Sequence, residues 1–308
     1  MECFELLNRI KSGNVPSAVA LVGADAYWKR TALEAITSLA DPFDLTIIDE
    51  GVSLKDVVID LGTIPLLGAF RVIILRGFAK PSDKDKKAVQ DYLKAPNQTS
   101  LLVFDCKCDF KEVEVVSCEK QSGETVTKET EKLISVGGKR ASLDVIRTLV
   151  DYCESDMSKI QTEVMKLCAY SDGDITLDDV NVCVEPSLTY KTYNLIKYIL
   201  AGDYVSCYDL IKKNDEKTTS VLASVINLFR CALYLKGRVD ENTLARVFDM
   251  KPYQIKFAKN VVWKYAASDL YFLLQLFYRL EFEIKSGVTT DENALMLAIS
   301  EAIERRIK

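Results

Sequence analysis

Short apolar runs alternate with amphipathic segments in the first 122 residues. A continuously apolar run predicts a strand that is buried on both faces. Five strands are predicted from mainly apolar runs, at 18–22, 45–48, 71–75, 101–104 and 113–116. Apolar residues spaced every three or four positions predict three helices. The first spans 28–39, the second begins after an N-cap at Ser53 and ends at 61, and the third ends at 94. This alternation indicates a parallel sheet that is covered by helices.

After residue 122 the pattern is helical throughout. The polar stretch 121–139, which contains Gly137 and Gly138, predicts a domain boundary. Four helices are predicted at 124–133, 142–153, 156–170 and 177–184. Seven more are predicted at 190–201, 203–214, 218–235, 240–249, 252–261, 268–285 and 291–306. We therefore expect an α/β domain over 1–122, a small helical domain over 123–187 and an all-α domain over 188–308.

The turn after the first predicted strand has the position of a phosphate-binding loop. Such a loop requires the pattern G-x-x-x-x-G-K-[ST], in which backbone N–H groups cradle the phosphates. Counted from Gly23, the second glycine is replaced by Trp28, whose indole ring blocks the close approach that glycine allows. Lys29 matches the pattern, but Arg30 has no hydroxyl for a magnesium ion. With Asp25 also inside it, the loop is predicted to be degenerate, and we expect no cofactor.

Asp49 and Glu50 follow the second predicted strand and leave one alternative open. Acidic residues at this position hold Mg²⁺ in active ATPases. Because the phosphate loop beside them is disabled, we interpret the pair as a solvated strand end that leads into a turn at Gly51.

Charge is distributed unequally along the chain. Residues 1–187 contribute 22 Lys and Arg against 31 Asp and Glu, and residues 188–308 contribute 18 against 14, so the net charges are −9 and +4. Contact with a polyanion is therefore favoured in the last third. There Lys256, Lys259 and Lys264 fall near one helical face and are candidate DNA contacts, although the modest charge density favours a solvated surface.

Several kinds of chemistry are excluded or disfavoured by composition. Histidine is absent, which excludes histidine-dependent nucleophiles and histidine-containing zinc sites. The nine cysteines lie scattered, as in a reduced cytoplasmic protein. Cys106, Cys108 and Cys118 offer three thiols where a closed zinc site needs four ligands, so we expect no metal. The chain shows no signal pattern and no apolar run as long as a membrane span, so we expect it to be cytoplasmic, with no membrane partner.

Eight short segments together resemble the delta-subunit family of bacterial DNA polymerase III, over nearly the full length of the chain. Their order and spacing carry the resemblance, since each alone is common. The segments are VGADAY at 22–27, PLLG at 65–68, DYLKAP at 91–96, TEVMKL at 162–167, ITLDDV at 175–180, AGD at 201–203, LFR at 228–230 and IKSG at 284–287.

The resemblance implies an AAA+-like N-terminal domain with a RecA-type parallel sheet, a helical lid domain and an all-α collar. Members of this clamp-loader family bind the ring-shaped sliding clamp, the beta subunit, and help to open it without hydrolysing ATP. Their collars assemble with ATP-hydrolysing sister subunits and a delta-prime-like subunit, and the complex loads the clamp on primed DNA. The resemblance thus implies no catalytic residues, a nucleotidyltransferase activity that belongs to the whole polymerase complex, and a monomer when the chain is isolated.

The family's clamp contact corresponds to Pro65, Leu66, Leu67 and Gly68. From the residues alone, proline and glycine predict a turn, and the leucines would more often pack back onto the domain. The resemblance instead favours leucines that enter an apolar pocket of the clamp, with Arg71 as a polar rim contact. The family usually has a phenylalanine in this pair, whereas both positions are leucine here.

The sequence leaves two alternatives from other classes open. One is an active ATPase of the same superfamily, with Asp49 and Glu50 as its carboxylates. The other is a non-catalytic helical adaptor. The segment 106–113 is also short for the family, as if a helix of the first domain were missing, and we interpret this as divergence.

Overall fold

The computed structural model describes residues 1–49, 53–76, 83–106, 108, 110–121, 123–212, 218–248, 250, 252–263, 265–289 and 291–307. Two candidate residues, Glu50 and Lys264, lie outside the described residues. The chain forms two compact units. The first comprises Met1–Lys128 and Asp156–Gln161, and the second comprises Glu129–Ser155 and Thr162–Lys308.

The first unit is built on a five-stranded sheet in the order β2-β3-β4-β1-β5. Its strands are β1 (Ala18–Val22), β2 (Leu45–Ile48), β3 (Arg71–Leu75), β4 (Ser100–Phe104) and β5 (Glu114–Ser117). Every neighbouring pair of strands is parallel. The predicted strands and the α/β fold class are therefore confirmed.

Burial follows the position of each strand in the sheet. The inner strand β4 is buried at every residue, and Ile73 and Phe104 are fully enclosed in the core between the sheet and its helices. The edge strand β2 is less covered, and Ile47 keeps 43% of its surface exposed. The continuous apolar runs of the sequence are thus explained by helices on both faces of the sheet.

Four α-helices accompany the sheet. They are α1 (Cys3–Lys11), α2 (Ala26–Thr37), α3 (Leu54–Leu61) and α4 (Asp83–Lys94), and a short 3-10 helix spans Pro42–Asp44. The helix α1 was not predicted from the sequence. It begins with a reciprocal capping box between Glu2 and Glu5 and buries Cys3 and Leu6. Between β4 and β5 the described residues 105, 106, 108 and 110–113 contain no helix, which fits the short segment noted in the sequence.

Helices make up most of the described residues after 123, as predicted. The helices are α5 (Glu124–Val136), α6 (Leu143–Tyr152), α7 (Met157–Tyr170), α8 (Leu177–Cys183), α9 (Leu188–Ala201), α10 (Tyr204–Lys212), α11 (Thr218–Lys236), α12 (Glu241–Phe248), α13 (Pro252–Val262), α14 (Ala267–Lys285) and α15 (Asp291–Ile307). Both α5 and α7 begin in the first unit and end in the second. The division of the helices into a lid and a collar after residue 187 stays a prediction.

The core of the last helices centres on α11 and α14. Phe229 of α11 and Phe277 of α14 are fully buried, and their rings stack with centroids 5.8 Å apart. Within the described ranges, one helix, α11, is long and apolar enough to cross a membrane by length and composition. The sequence expectation that no segment has this length was therefore wrong. Because Val225 and Phe229 of this helix lie in the core, we interpret α11 as a core helix.

We expect Phe229→Ala to lower the free energy of unfolding by about 3–5 kcal/mol, because it leaves a cavity against Phe277. Phe282→Ala is the matched control, since Phe282 is 71% exposed and its truncation should change stability by no more than about 0.5 kcal/mol. Urea denaturation followed by circular dichroism measures both variants. Equal midpoints for the two variants would show that this aromatic pair does not stabilise the core.

Candidate functional site

The strand register places two separate loops at one edge of the sheet. Leu45 of β2 pairs with Val72 of β3, so Asp44 and Arg71, one residue before each of these, are neighbours. The 3-10 turn 42–44 leads into β2 and the loop 62–70 leads into β3. Because the strands are parallel, both segments lie at the amino end of the sheet.

Asp44 holds the loop 62–70 in place. Its side chain is completely buried, and its carboxylate accepts three backbone hydrogen bonds, from Leu66 N at 2.6 Å, Leu67 N at 2.8 Å and Gly68 N at 2.7 Å. A buried carboxylate is costly unless hydrogen bonds and opposite charges satisfy it. The three donors supply most of that compensation, so the backbone of the loop is tied to a single side chain.

The pKa of Asp44 is held below its ordinary value. The backbone hydrogen bonds from Leu66, Gly68 and Leu67 lower the pKa most, burial raises it, and the Arg71 guanidinium lowers it further. Hydrogen bonds to the ionised form stabilise that form. Asp44 is therefore a carboxylate at neutral pH, with the charge that its three donors require.

The leucine side chains point away from the unit. Leu66 and Leu67 are 77% and 66% exposed, and Ile64 just before them is 80% exposed. The interpretation from the residues alone, in which the leucines pack back onto the domain, was wrong. Their backbone N–H groups are turned inward to Asp44, so their side chains remain outside as free apolar surface.

Gly68 is required by a close approach. A Cβ atom added there would lie 2.7 Å from the backbone nitrogen of Asp41 and 3.3 Å from Asp44 Oδ2. Any other residue would push the loop away from the turn that precedes β2. Pro65 precedes the leucines, so a proline and a glycine flank them as the sequence indicates.

Arg71 contacts carboxylates of its own unit and is not available as a polar contact at the rim of the leucine loop. Its guanidinium bonds to the Asp60 carboxylate and lies 3.8 Å from Asp44 Oδ1, and its side chain is only 16% exposed. Its charge is thus shared between two carboxylates of the same unit. Asp44 and Asp60 were not predicted from the sequence. The role of Asp44 follows from the pairing of β2 with β3, and that of Asp60 from the position of α3 beside Arg71.

The opposite edge of the sheet carries the degenerate phosphate loop. Asp25 is the N-cap of α2, and its carboxylate accepts hydrogen bonds from Tyr27 N at 3.0 Å and Trp28 N at 3.1 Å. These donors at a helix start are the groups that a phosphate would use. The chain also fills the space at Gly23, where an added Cβ would lie 2.2 Å from the carbonyl of Cys118. The Asp25 N–H donates to that carbonyl at 3.1 Å.

The other residues of the degenerate loop have partners within the first unit. Trp28 is buried, with 1% of its surface exposed, so an enclosed indole side chain stands where a phosphate loop has its second glycine. Lys29 forms an ion pair with Asp105 at 2.6 Å. Arg30 bonds to the side chain of Gln161 and lies 3.7 Å from Glu34. The position is therefore occupied by the protein's own groups.

The remaining candidates form no assembled site. Asp49 is highly exposed and lies 3.8 Å from Arg76. Lys256 is exposed, and burial raises the pKa of nearby Asp151 while the Lys256 charge lowers it. Lys259 forms an ion pair with Glu241 at 2.6 Å. Their neighbours thus offset part of the positive charge that DNA would meet.

The cysteine cluster does not form a metal centre in the described part of the chain, where no group of three metal-binding side chains occurs. Cys118 is buried beside Cys3, and a hydrogen bond between the two thiols lowers the pKa of Cys118. Burial raises the pKa of Cys106. Neither thiol is placed in this structure as a ligand.

Taken with its helical second unit, the first unit defines a class of protein: a nucleotide-type α/β scaffold whose phosphate position is occupied and whose opposite edge presents an apolar loop. DNA polymerase III subunit delta of Bacillus subtilis is 22% identical over 341 aligned residues, which cover 99% of this chain and 98% of that protein. The Bacillus subtilis DNA clamp loader delta protein has a similar structure, with a TM-score of 0.65 at 22% identity over 98% of this chain and 99% of that one. No protein-family model matches the chain. The resemblance indicated by the eight segments is confirmed.

We expect acid to weaken the first unit through Asp44. Because its folded-state pKa is lowered, its contribution is fully present above the unfolded-state value of about 3.9 and is lost as the pH falls through the lower folded-state pKa. Asp44→Asn should be less stable at pH 7, and its stability should fall less on acidification. Urea midpoints at pH 7 and pH 3 measure this, with the exposed Asp49→Asn as control. The same pH dependence in Asp44→Asn and the unmodified chain would contradict it.

We also expect that Trp28→Gly with Arg30→Thr will not restore ATP binding. The Asp25 carboxylate would still accept hydrogen bonds from the N–H groups at the start of α2. The backbone carbonyl of Cys118 would still lie close against Gly23 and leave no space there. Calorimetric titration with ATP and Mg²⁺ measures the affinity, and a triple variant with Asp25→Gly tests the cause. Saturable binding by the double variant would show that Asp25 does not block the loop.

Proposed function

We propose that this chain is a delta-type subunit of a bacterial DNA polymerase III clamp loader. It binds the sliding clamp through Leu66 and Leu67, helps to open the clamp for loading on primed DNA, and hydrolyses no ATP itself. The observation that carries the proposal is the pair of exposed leucines on a backbone that Asp44 holds rigid.

The geometry of the loop supports binding to an apolar pocket. Two leucines at 77% and 66% exposure are available to a partner without prior unfolding of the loop. Burial of a leucine side chain contributes about 1.5–3 kcal/mol, and a few such anchors dominate the affinity of an interface. A loop that is already ordered loses little conformational entropy on binding.

The occupied phosphate position supports the absence of ATP hydrolysis. Asp25 takes the backbone donors, Lys29 is paired with Asp105, and no Ser or Thr stands at position 30. These features argue against the alternative of an active ATPase with Asp49 and Glu50 as its carboxylates. In this proposal the nucleotidyltransferase activity belongs to the polymerase complex, and the chain contributes binding.

The similarity over the full length supports the assembly role. A relative named as DNA polymerase III subunit delta aligns with 99% of this chain, so the helical part as well as the sheet has a counterpart. We infer that the helices after residue 187 form a collar that assembles with ATP-hydrolysing subunits and a delta-prime-like subunit in the cytoplasm. An isolated chain is then a monomer. Lys256, Lys259 and Lys264 remain candidate contacts to primed DNA.

The double substitution Leu66→Ala, Leu67→Ala tests the proposal. Loss of both anchors should weaken binding to the organism's own sliding clamp at least about 100-fold, since each 1.4 kcal/mol corresponds to about a factor of ten. The unfolding midpoint should not change, because the truncated side chains are exposed. Surface plasmon resonance with immobilised clamp measures the affinity, and thermal denaturation measures the fold.

Leu143→Ala with Leu177→Ala is the matched control, because these leucines are 50% and 46% exposed in the second unit. This variant should bind the clamp as the unmodified chain does. Unchanged clamp affinity in the Leu66, Leu67 variant would refute the proposed contact. Failure of the unmodified chain to bind the clamp at all would favour the helical adaptor.

A further inference from the structure

An exposed aromatic ring belongs to the residue just before Asp44, whose carboxylate binds the leucine loop from a different segment of the chain. Phe43 is 77% exposed, although it belongs to a well-formed 3-10 turn, Pro42–Asp44. Asp41 caps this turn by accepting a hydrogen bond from Phe43 N at 3.1 Å. The ring is therefore presented to solvent by ordered backbone.

The turn and the loop are joined by direct contacts. Asp44, the residue after Phe43, binds the backbone of Leu66, Leu67 and Gly68. Gly68 also lies so close to Asp41 that no Cβ would fit between them. Phe43 is thus fixed relative to the two leucines by contacts on both sides of it.

Phe43, Ile64, Leu66 and Leu67 together form what we call the apolar edge. Each of the four is at least 66% exposed. The ten residues from 61 to 70 include no charged residue, and the charge of Arg71 is taken up by Asp60 and Asp44. A partner that covers this edge must therefore offer a mainly apolar surface, and the charge that the first of the two segments adds beside Phe43 is the half-buried Asp41.

We propose that Phe43 is a third anchor of the docking surface, and that it contacts the same sliding clamp as Leu66 and Leu67. This inference rests on the proposed function and adds a segment that lies more than twenty residues earlier in the chain. A ring of this size buries more surface than a leucine, and aromatic residues are enriched among the residues that dominate interfaces. Because the apolar edge is preformed, the partner meets all of these side chains at once.

The test is Phe43→Ala in the full-length chain, measured against immobilised sliding clamp. We expect affinity to fall about 10- to 100-fold, with an unchanged unfolding midpoint because the ring is exposed. Phe43→Leu should lose less affinity, and it replaces the alanine variant if that variant fails to fold. Phe282→Ala is the control, because it removes a ring of similar exposure from the second unit and should bind as the unmodified chain does.

The outcomes separate this inference from the proposed function. Clamp affinity within about twofold of the unmodified chain in Phe43→Ala, together with loss of binding in Leu66→Ala, Leu67→Ala, would overturn the role of Phe43 and leave the proposed function intact. Retained binding in both would overturn both. In a double-mutant cycle, Phe43→Ala and Leu66→Ala should be coupled, so that the combined loss differs from the product of the single losses. Independent losses would place the two side chains in unconnected contacts.

Discussion

The carboxylate of Asp44 is the constraint on which the amino edge of the sheet depends. A charged group without contact to solvent must find its hydrogen bonds inside the protein, and here three successive N–H groups of one loop provide them. The same bonds turn the backbone of that loop inward. With its polar groups satisfied by the protein, the loop leaves the side chains of two leucines exposed to water.

A carboxylate plays a comparable part at the opposite edge, with the reverse consequence. The Asp25 carboxylate accepts hydrogen bonds from two N–H groups at the start of α2, and a phosphate would otherwise bind these donors. The two edges are separated by the length of the strands, roughly 15 Å at about 3.3 Å per residue. At one edge the carboxylate of Asp25 takes donors that an anionic ligand would need, and at the other the carboxylate of Asp44 orders a loop whose leucine side chains are exposed.

The strands could be predicted from the sequence because strands covered on both faces leave uninterrupted apolar runs such as 72–75. The helix α1 could not, since its nine residues bury little beyond Cys3 and Leu6. The role of Asp44 could not be predicted for a different reason. Its hydrogen-bond partners lie more than twenty residues away in the chain, and only the register of β2 on β3 brings them together. Trp28 follows the helical spacing that the sequence predicts, since Trp28, Ala32 and Ile36 are four residues apart and all three are buried.

The absence of a phenylalanine beside Leu66 need not weaken a docking surface that is already ordered. Fixing the backbone of one residue costs about 1–2 kcal/mol of conformational entropy, and a flexible loop would lose that free energy on binding. Here Asp44 and Gly68 order the loop during folding, so most of the free energy of apolar burial remains available for association. Affinity at such an edge depends on how rigidly side chains are presented as much as on which side chains they are, and an aromatic ring on the neighbouring turn can serve the same surface as one within the loop.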